Sequence, residues 1–108
     1  AEDPAKGFLP SVGKLECLVL GAGEGRVETG VVQEDEVSSF YDPMIAKLIS
    51  TGNSRREAIE ALASKLSNIN VWPVRTNSGF LYRAATHPEF RAGRIDTGFI
   101  ERYLDELL

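Results

Sequence analysis

Four glycines surround one arginine in the stretch GAGEGRVETGV, residues 21–31. Such a stretch could either bind phosphate or form a turn that positions Arg26. A dinucleotide-binding loop needs G-x-G-x-x-G between a strand and a helix, but Arg26 occupies the third glycine position and a strand-like alternation follows. No helix N-terminus is therefore available for a pyrophosphate, and no G-K-S or G-K-T follows for a Walker loop. The residues favour a hairpin turn, because glycine tolerates positive φ.

Arg26 is the candidate functional residue of this stretch, because it begins the strand predicted after the turn. A guanidinium is planar and always charged, and it suits a carboxylate, a bicarbonate or an enolate oxygen. A salt bridge to Glu24 or Glu28 explains the same arginine without any function. The residues themselves leave both interpretations open.

The other reactive side chains have simpler structural explanations. His87 precedes Pro88 at a predicted helix end and is expected to cap it at the surface. Cys17 lies among apolar residues in LECLVL, which predicts core packing. Asp42 and Lys47 could form a catalytic pair, but a helix cap and a solvated or partly buried lysine explain them equally well. The sequence shows no second His or Cys for a metal site and no combination of nucleophile, base and orienting group.

Composition limits the class of protein. A chain of 108 residues with 43% apolar residues is expected to form one soluble domain, spanning 1–108. The net charge of −4 argues against a nucleic-acid partner, and no apolar run approaches the roughly 18 residues of a membrane span. The single cysteine excludes an internal disulfide and fits a reducing compartment. The chain opens on AEDPAKGFLPS without a leading element, so we expect it to be a piece of a longer protein.

Alternation of apolar residues predicts the strands. Residues 14–20 and 26–32 are expected to form a hairpin through the glycine turn, with a short strand over 37–41 and another over 46–51. In the first strand, Leu15, Cys17 and Val19 share a face. In the second strand the faces alternate: Val27, Thr29 and Val31 lie on one side, and Arg26, Glu28 and Gly30 lie on the other. Asp42 and Pro43 could begin a helical turn.

Helical periodicity dominates the second half of the chain. Ser54 and Glu57 form a capping box, followed to about residue 68 by the apolar stripe Ala58, Ile59, Leu62 and Leu66. A second helix is predicted over 78–86, ending before Pro88. A last helix follows Thr97, with an apolar face of Ile100, Tyr103, Leu104 and Leu107. Strands followed by helices predict an α+β fold in which a small antiparallel sheet packs against C-terminal helices.

Six phrases in order carry a family resemblance: AEDPAKGFLPSVGKL, GRVETGV, YDPMIAKLI, SRREAIEALASKL, VRTNSGFL and HPEFRAGRIDTGFI. Together they resemble the C-terminal domain of biotin carboxylase, over Ala1 to about Ile100. The similarity favours the acyl-CoA carboxylase branch, such as acetyl- or propionyl-CoA carboxylase α subunits.

The resemblance implies a role for Arg26. Biotin carboxylase uses ATP, bicarbonate and Mg²⁺ to carboxylate biotin on a carrier domain or protein. In the family, an ATP-grasp domain upstream of this segment binds ATP and Mg²⁺ and supplies the catalytic base. The segment itself contributes the arginine of the R-V-D/E-S/T-G phrase, here Arg26, which contacts biotin and bicarbonate and stabilises the biotin enolate. The isolated chain is therefore expected to be inactive.

The resemblance also implies partners and a location. The expected partners are the protein's own ATP-grasp domain, a biotin carboxyl carrier domain, a carboxyltransferase subunit and a second copy in a homodimer, with no nucleic acid and no membrane. The expected location is the cytoplasm, or the mitochondrial matrix in a eukaryote. Trp72 and Pro73 replace small and polar residues near the family's dimer contact, so the mode of dimerisation is open. Two alternatives are a stand-alone protein-interaction module and the equivalent domain of pyruvate or urea carboxylase.

Overall fold

The computed structural model describes residues 1–21 and 25–108. Its eight strands are short and lie in the first two thirds of the chain, and its helices lie mainly in the last half. The strands are β1 (Glu2–Asp3), β2 (Leu9–Pro10), β3 (Gly13–Lys14), β4 (Cys17–Leu20), β5 (Arg26–Thr29), β6 (Glu36–Val37), β7 (Ala46–Ile49) and β8 (Ile69–Trp72). The helices are α1 (Arg55–Ser67), α2 (Ser78–Thr86), α3 (Pro88–Arg91), α4 (Phe99–Arg102) and α5 (Leu104–Leu107), with a 3₁₀ turn at Pro4–Lys6. The predicted combination of antiparallel strands and C-terminal helices is confirmed.

The strands pair with distant partners rather than with their neighbours in sequence. β4 pairs antiparallel with β8, from Cys17 opposite Trp72 to Leu20 opposite Ile69. β5 pairs antiparallel with β7, from Arg26 opposite Ile49 to Thr29 opposite Ala46. The predicted β4–β5 hairpin is therefore wrong in its pairing, and β8 was not predicted at all. Residues 22–24 of the predicted turn lie outside the described residues.

Several predicted strand bounds also change. The strand expected over 14–20 is interrupted at Leu15, whose N–H donates to the Asp35 carbonyl at 2.8 Å. The interruption shifts the alternation, so that Leu15 is fully buried while Val19 is exposed and Cys17 is only half-buried. The strand expected over 26–32 ends at Thr29, and the one expected over 37–41 is reduced to β6. No helical turn begins at Asp42; its carboxylate instead accepts the Met44 N–H at 2.8 Å.

Helix α1 confirms its predicted cap and length. The Ser54 hydroxyl accepts the Glu57 N–H at 3.2 Å, and the Glu57 carboxylate accepts the Asn53 N–H at 2.9 Å. The reciprocal bond of the capping box thus reaches one residue further upstream than in the usual motif. Ile59 and Leu66 are buried, as the predicted stripe requires.

The C-terminal helices form an aromatic core. Phe80, Phe99 and Leu107 are buried, with Phe8, Phe90 and Tyr103 packed around them. The last predicted helix is divided into α4 and α5, and Tyr103 lies between them. The division places Phe99 rather than Ile100 in the core, so the predicted inward position of Ile100 is wrong.

A second apolar cluster lies under the strands. Leu15, Val37, Ile45 and Val74 are its buried members, and side chains from β4, β7 and β8 pack against it. In the described part of the chain, no helix is long and apolar enough to cross a lipid bilayer.

Candidate functional site

Arg26 lies at the first position of β5, on the outer face of the β5–β7 ribbon. Its side chain is 69% exposed. The opposite face of the strand carries Val27, which is half-buried, so the predicted alternation is confirmed from Arg26 to Glu28, whereas Thr29, predicted on the face of Val27, is exposed. The guanidinium therefore projects away from the apolar cluster and remains accessible from outside the domain.

Glu28 is the ion-pair partner of Arg26 in the structure. The two residues are separated by two positions on one strand and so share a face, and Arg26 Nη2 contacts Glu28 Oε1. Both side chains are substantially exposed, so the pair is weakly stabilising and is screened by salt. A guanidinium has five N–H donors, and one carboxylate oxygen does not exhaust them. The salt bridge to Glu28 that the sequence suggested is therefore present. Because it uses only part of the guanidinium, Arg26 can still bind an anion.

Gly25 fixes the backbone from which Arg26 emerges. Its φ is +107°, and a Cβ atom there would lie 2.6 Å from Lys65 Cε and 2.7 Å from the Ile49 carbonyl oxygen. Real Cβ contacts are not this short, so the position requires glycine. Lys65 is 3% exposed, and its aliphatic stem packs beneath Gly25. The glycine allows β5 to approach both α1 and the end of β7.

Lys47 joins the face that carries Arg26. It lies directly opposite Glu28 in the β5–β7 ladder and is exposed. Residues opposite each other on paired strands project to the same side. Arg26, Glu28 and Lys47 therefore form an exposed charged group on one surface, with two cations and one carboxylate. This outer face is suited to an anion with planar oxygens.

The sequence analysis did not place Lys47 beside Arg26, because it did not predict the pairing of β5 with β7. Asp42, the partner considered for Lys47, instead caps the turn at Met44. A strand prediction over 46–51 already placed Lys47 at an alternating position. Only the register, in which residue 28 faces residue 47, could have connected it with Arg26.

His87 confirms the predicted cap but not its surface position. Its Nδ1 accepts the Glu89 N–H at 3.1 Å, at the start of α3. The ring packs on Phe99 and Tyr103, with centroids 5.5 and 4.5 Å away. The imidazole is therefore a mostly buried part of the aromatic core, away from the Arg26 face.

The sequence and the fold match a known family. The family model of the biotin carboxylase C-terminal domain matches residues 1–102. The chain belongs to this family, as the sequence resemblance predicted.

The chain is similar to part of several curated carboxylase subunits. It is 47% identical, over its whole length, to the mitochondrial methylcrotonoyl-CoA carboxylase subunit alpha of Oryza sativa subsp. japonica, and spans 15% of that protein. It is 39% identical, over 96% of its length, to the biotin carboxylase of Halalkalibacterium halodurans, of which it spans 23%.

A solved structure confirms the fold. The biotin carboxylase domain dimer of Hydrogenobacter thermophilus 2-oxoglutarate carboxylase, in complex with MgADP, ADP and bicarbonate, superimposes with a TM-score of 0.94. It is 32% identical and covers all of this chain, which in turn covers 24% of it. The chain thus corresponds to less than a quarter of each of these three proteins.

Proposed function

We propose that this chain is the C-terminal part of the biotin carboxylase component of an acyl-CoA carboxylase, in which Arg26 completes the active site. The observation that carries the proposal is the exposed guanidinium at the start of β5, which follows a glycine in a backbone conformation that strains other residues and is directed outward from the domain. The complete enzyme carboxylates protein-bound biotin at the expense of ATP and bicarbonate.

The contribution of Arg26 follows from its charge and geometry. Carboxylation requires negative charge to develop on the biotin ureido oxygen and requires bicarbonate to be oriented. A fixed guanidinium offers parallel N–H donors to such oxygens and needs no reorganisation during the reaction. Lys47 adds positive charge to the same face, whereas Glu28 holds the guanidinium until an anion replaces it. ATP and Mg²⁺ are assigned to the ATP-grasp domain, outside these residues.

The acceptor of the carboxyl group is proposed from the relatives. Several curated relatives, from plants, animals and a slime mould, are methylcrotonoyl-CoA carboxylase α subunits. They support an acyl-CoA carboxylase over a pyruvate or urea carboxylase. In this family a separate carboxyltransferase component selects the acyl group, so acetyl-, propionyl- and methylcrotonoyl-CoA are all compatible with Arg26 as placed here.

Partners and location follow from the same proposal. The protein's own ATP-grasp domain covers the Arg26 face, the carrier domain delivers biotin to it, and the carboxyltransferase receives the product. A homodimer is consistent with the related domain described as a dimer, and the exposed Trp72 lies in the region we expect at that contact. The location is the mitochondrial matrix for a eukaryotic source and the cytoplasm for a bacterial one.

The proposal is tested by Arg26→Ala in the intact biotin carboxylase subunit. Loss of one preorganised donor to a developing oxyanion typically lowers kcat by about 10²–10³-fold. We expect a loss of that size in biotin-dependent turnover with an unchanged dissociation constant for ATP. Arg26→Lys keeps the charge without the planar fork and is expected to recover only part of the rate.

Arg75→Ala is the matched control. Arg75 is also an exposed arginine, its backbone N–H bonds to Ser11, and within residues 1–21 and 25–108 no ion pair of its side chain is recorded. We expect full activity from this variant. Wild-type turnover in Arg26→Ala, or an equal loss in Arg75→Ala, contradicts the proposed role.

A further inference from the structure

Lys65 carries a charge into the interior of the domain. In the described part of the chain, residues 1–21 and 25–108, it is the buried charged residue, with an exposure of 3%. It lies in the last turn of α1, three residues after Leu62 of the apolar stripe, so it falls on the buried side of the helix. Burial of an ammonium group is costly unless nearby polar groups compensate for the lost water. Packing alone therefore does not explain a lysine at this position.

The side chain of Lys65 lies directly beneath the backbone that leads into Arg26. A Cβ atom on Gly25 would be 2.6 Å from Lys65 Cε and 3.3 Å from Lys65 Nζ. The Ile49 carbonyl oxygen, at the end of β7, would be 2.7 Å from the same atom. Ile49 is also the residue opposite Arg26 in the β5–β7 ladder. Lys65 thus lies at the junction where α1, the start of β5 and the end of β7 meet.

The backbone of Lys65 lies close to the other end of the glycine-rich stretch. A Cβ atom on Gly21 would be 3.3 Å from the Lys65 carbonyl oxygen, which also accepts the Asn68 N–H at 3.1 Å. Gly21 and Gly25 have φ values of +81° and +107°, so both ends of the stretch adopt backbone conformations that favour glycine. One residue of α1 is therefore close to both ends of the stretch that precedes Arg26.

The surroundings of Lys65 favour its charge. The last turn of a helix stabilises a cation, because the helix dipole is negative at that end. An ammonium group has three N–H donors, and a buried one needs oxygen acceptors for them. Backbone that supplies such acceptors is held more firmly than backbone that packs on an aliphatic side chain, because its displacement would leave a buried charge without partners.

We infer that Lys65 is a positioning residue for Arg26: its buried ammonium group fixes Gly25 against the end of β7 and so sets the direction of the guanidinium. The inference rests on the proposed function, in which Arg26 meets biotin and bicarbonate. Lys65 is buried and acts only through the backbone of Gly25. A displacement of about 1 Å caused by a distant residue can lower a rate by about 100-fold, so Lys65 affects turnover without contacting a reactant.

Lys65→Met in the intact biotin carboxylase subunit tests this role, because methionine keeps most of the aliphatic stem and removes the charge. We expect kcat for biotin carboxylation to fall by about 10- to 100-fold, with an unchanged dissociation constant for ATP. We expect no loss of thermal stability, because an apolar replacement for a buried charge is often neutral or stabilising. Lys6→Met removes an exposed lysine and is the matched control, with full activity expected. A wild-type kcat in Lys65→Met overturns the inference.

A double-mutant cycle with Arg26→Ala distinguishes positioning from a general structural effect. If Lys65 acts through Arg26, Lys65→Met causes no further loss of kcat in a subunit that already carries Arg26→Ala. An equal fold-loss in both backgrounds overturns the inference. Lys65→Gln, which keeps N–H donors without the charge, gives the same comparison should the methionine variant not fold.

The cycle also separates this inference from the proposed function. Wild-type turnover in Arg26→Ala contradicts the proposed function and the inference together. A large loss in Arg26→Ala with none in Lys65→Met contradicts only the role of Lys65.

Discussion

The helical region and the ribbon region of this domain achieve burial in different ways. The helical region, residues 55–67 and 78–107, packs Phe80, Phe99 and Leu107 into its own core. The ribbon region, comprising β4, β5, β7 and β8, packs on a cluster of aliphatic side chains, Leu15, Val37, Ile45 and Val74, and exposes apolar residues such as Val19 and Trp72. The comparison shows that buried aromatic rings hold the helical region together, whereas the region that carries Arg26 depends on strand pairing over a core of aliphatic side chains.

The aromatic core of the helical region gives the largest expected effect on stability. Leu107 is 0% exposed and its neighbour Leu108 is 49% exposed, so the two leucines form a matched pair. Leu107→Ala is expected to lower the free energy of unfolding by about 2–5 kcal/mol, because it leaves a cavity against Phe80 and Phe99. Leu108→Ala is expected to cost well under about 1 kcal/mol. Urea unfolding of the two variants measures the difference, and similar values would show that α5 does not close this core.

The ribbon region is expected to respond more to backbone strain than to loss of volume. Gly25→Ala places a Cβ atom against the Ile49 carbonyl at a φ of +107°, and strain of this kind typically costs about 1–3 kcal/mol. Because the clash lies beside Arg26, biotin carboxylation by the intact subunit is expected to fall as well, with ATP binding unchanged.

Gly30→Ala is the control for this substitution. Gly30 immediately follows the same strand, and a Cβ atom there would meet no heavy atom within 4 Å. We expect unchanged stability and activity in this variant. If Gly25→Ala also changes neither the stability nor the rate of biotin carboxylation, the glycine does not fix the position of Arg26.

The two regions also differ in how much of them the sequence could predict. In the helical region the cues are local: Ser54 and Glu57 determine where α1 begins, and Pro88 determines where α2 ends. The division at Tyr103 was missed because the apolar spacing of residues 100–107 fits one continuous helix. Burial of Phe99 in the aromatic core outweighed that local periodicity.

In the ribbon region the determining contacts are distant in sequence. Leu20 pairs with Ile69, so no local pattern around either residue identifies its partner. β8 was missed because its four residues follow α1 closely and precede Pro73, which resembles a helix ending. The alternation around Arg26 was predictable because it needs only the period of a strand. Its ion pair with Glu28 was one of two local alternatives, and the neighbouring Lys47 required the register.

The smallest expected effect concerns the exposed ion pairs of the helical region. Glu89 accepts two hydrogen bonds from Arg94, at 2.7 and 3.0 Å, and the arginine holds the pKa of this carboxyl below its ordinary value. A carboxyl whose folded-state pKa is lowered stabilises the protein above the unfolded pKa of about 4, and this stabilisation is lost as pH falls through the folded-state value. Glu89→Gln is therefore expected to lower the melting temperature slightly at pH 7 and to differ less from the wild type at pH 3. Glu101→Gln, at an exposed glutamate with no ion pair recorded among the described residues, is expected to match the wild type at both pH values. A Glu89→Gln difference that persists unchanged at pH 3 would assign the effect to packing rather than to charge.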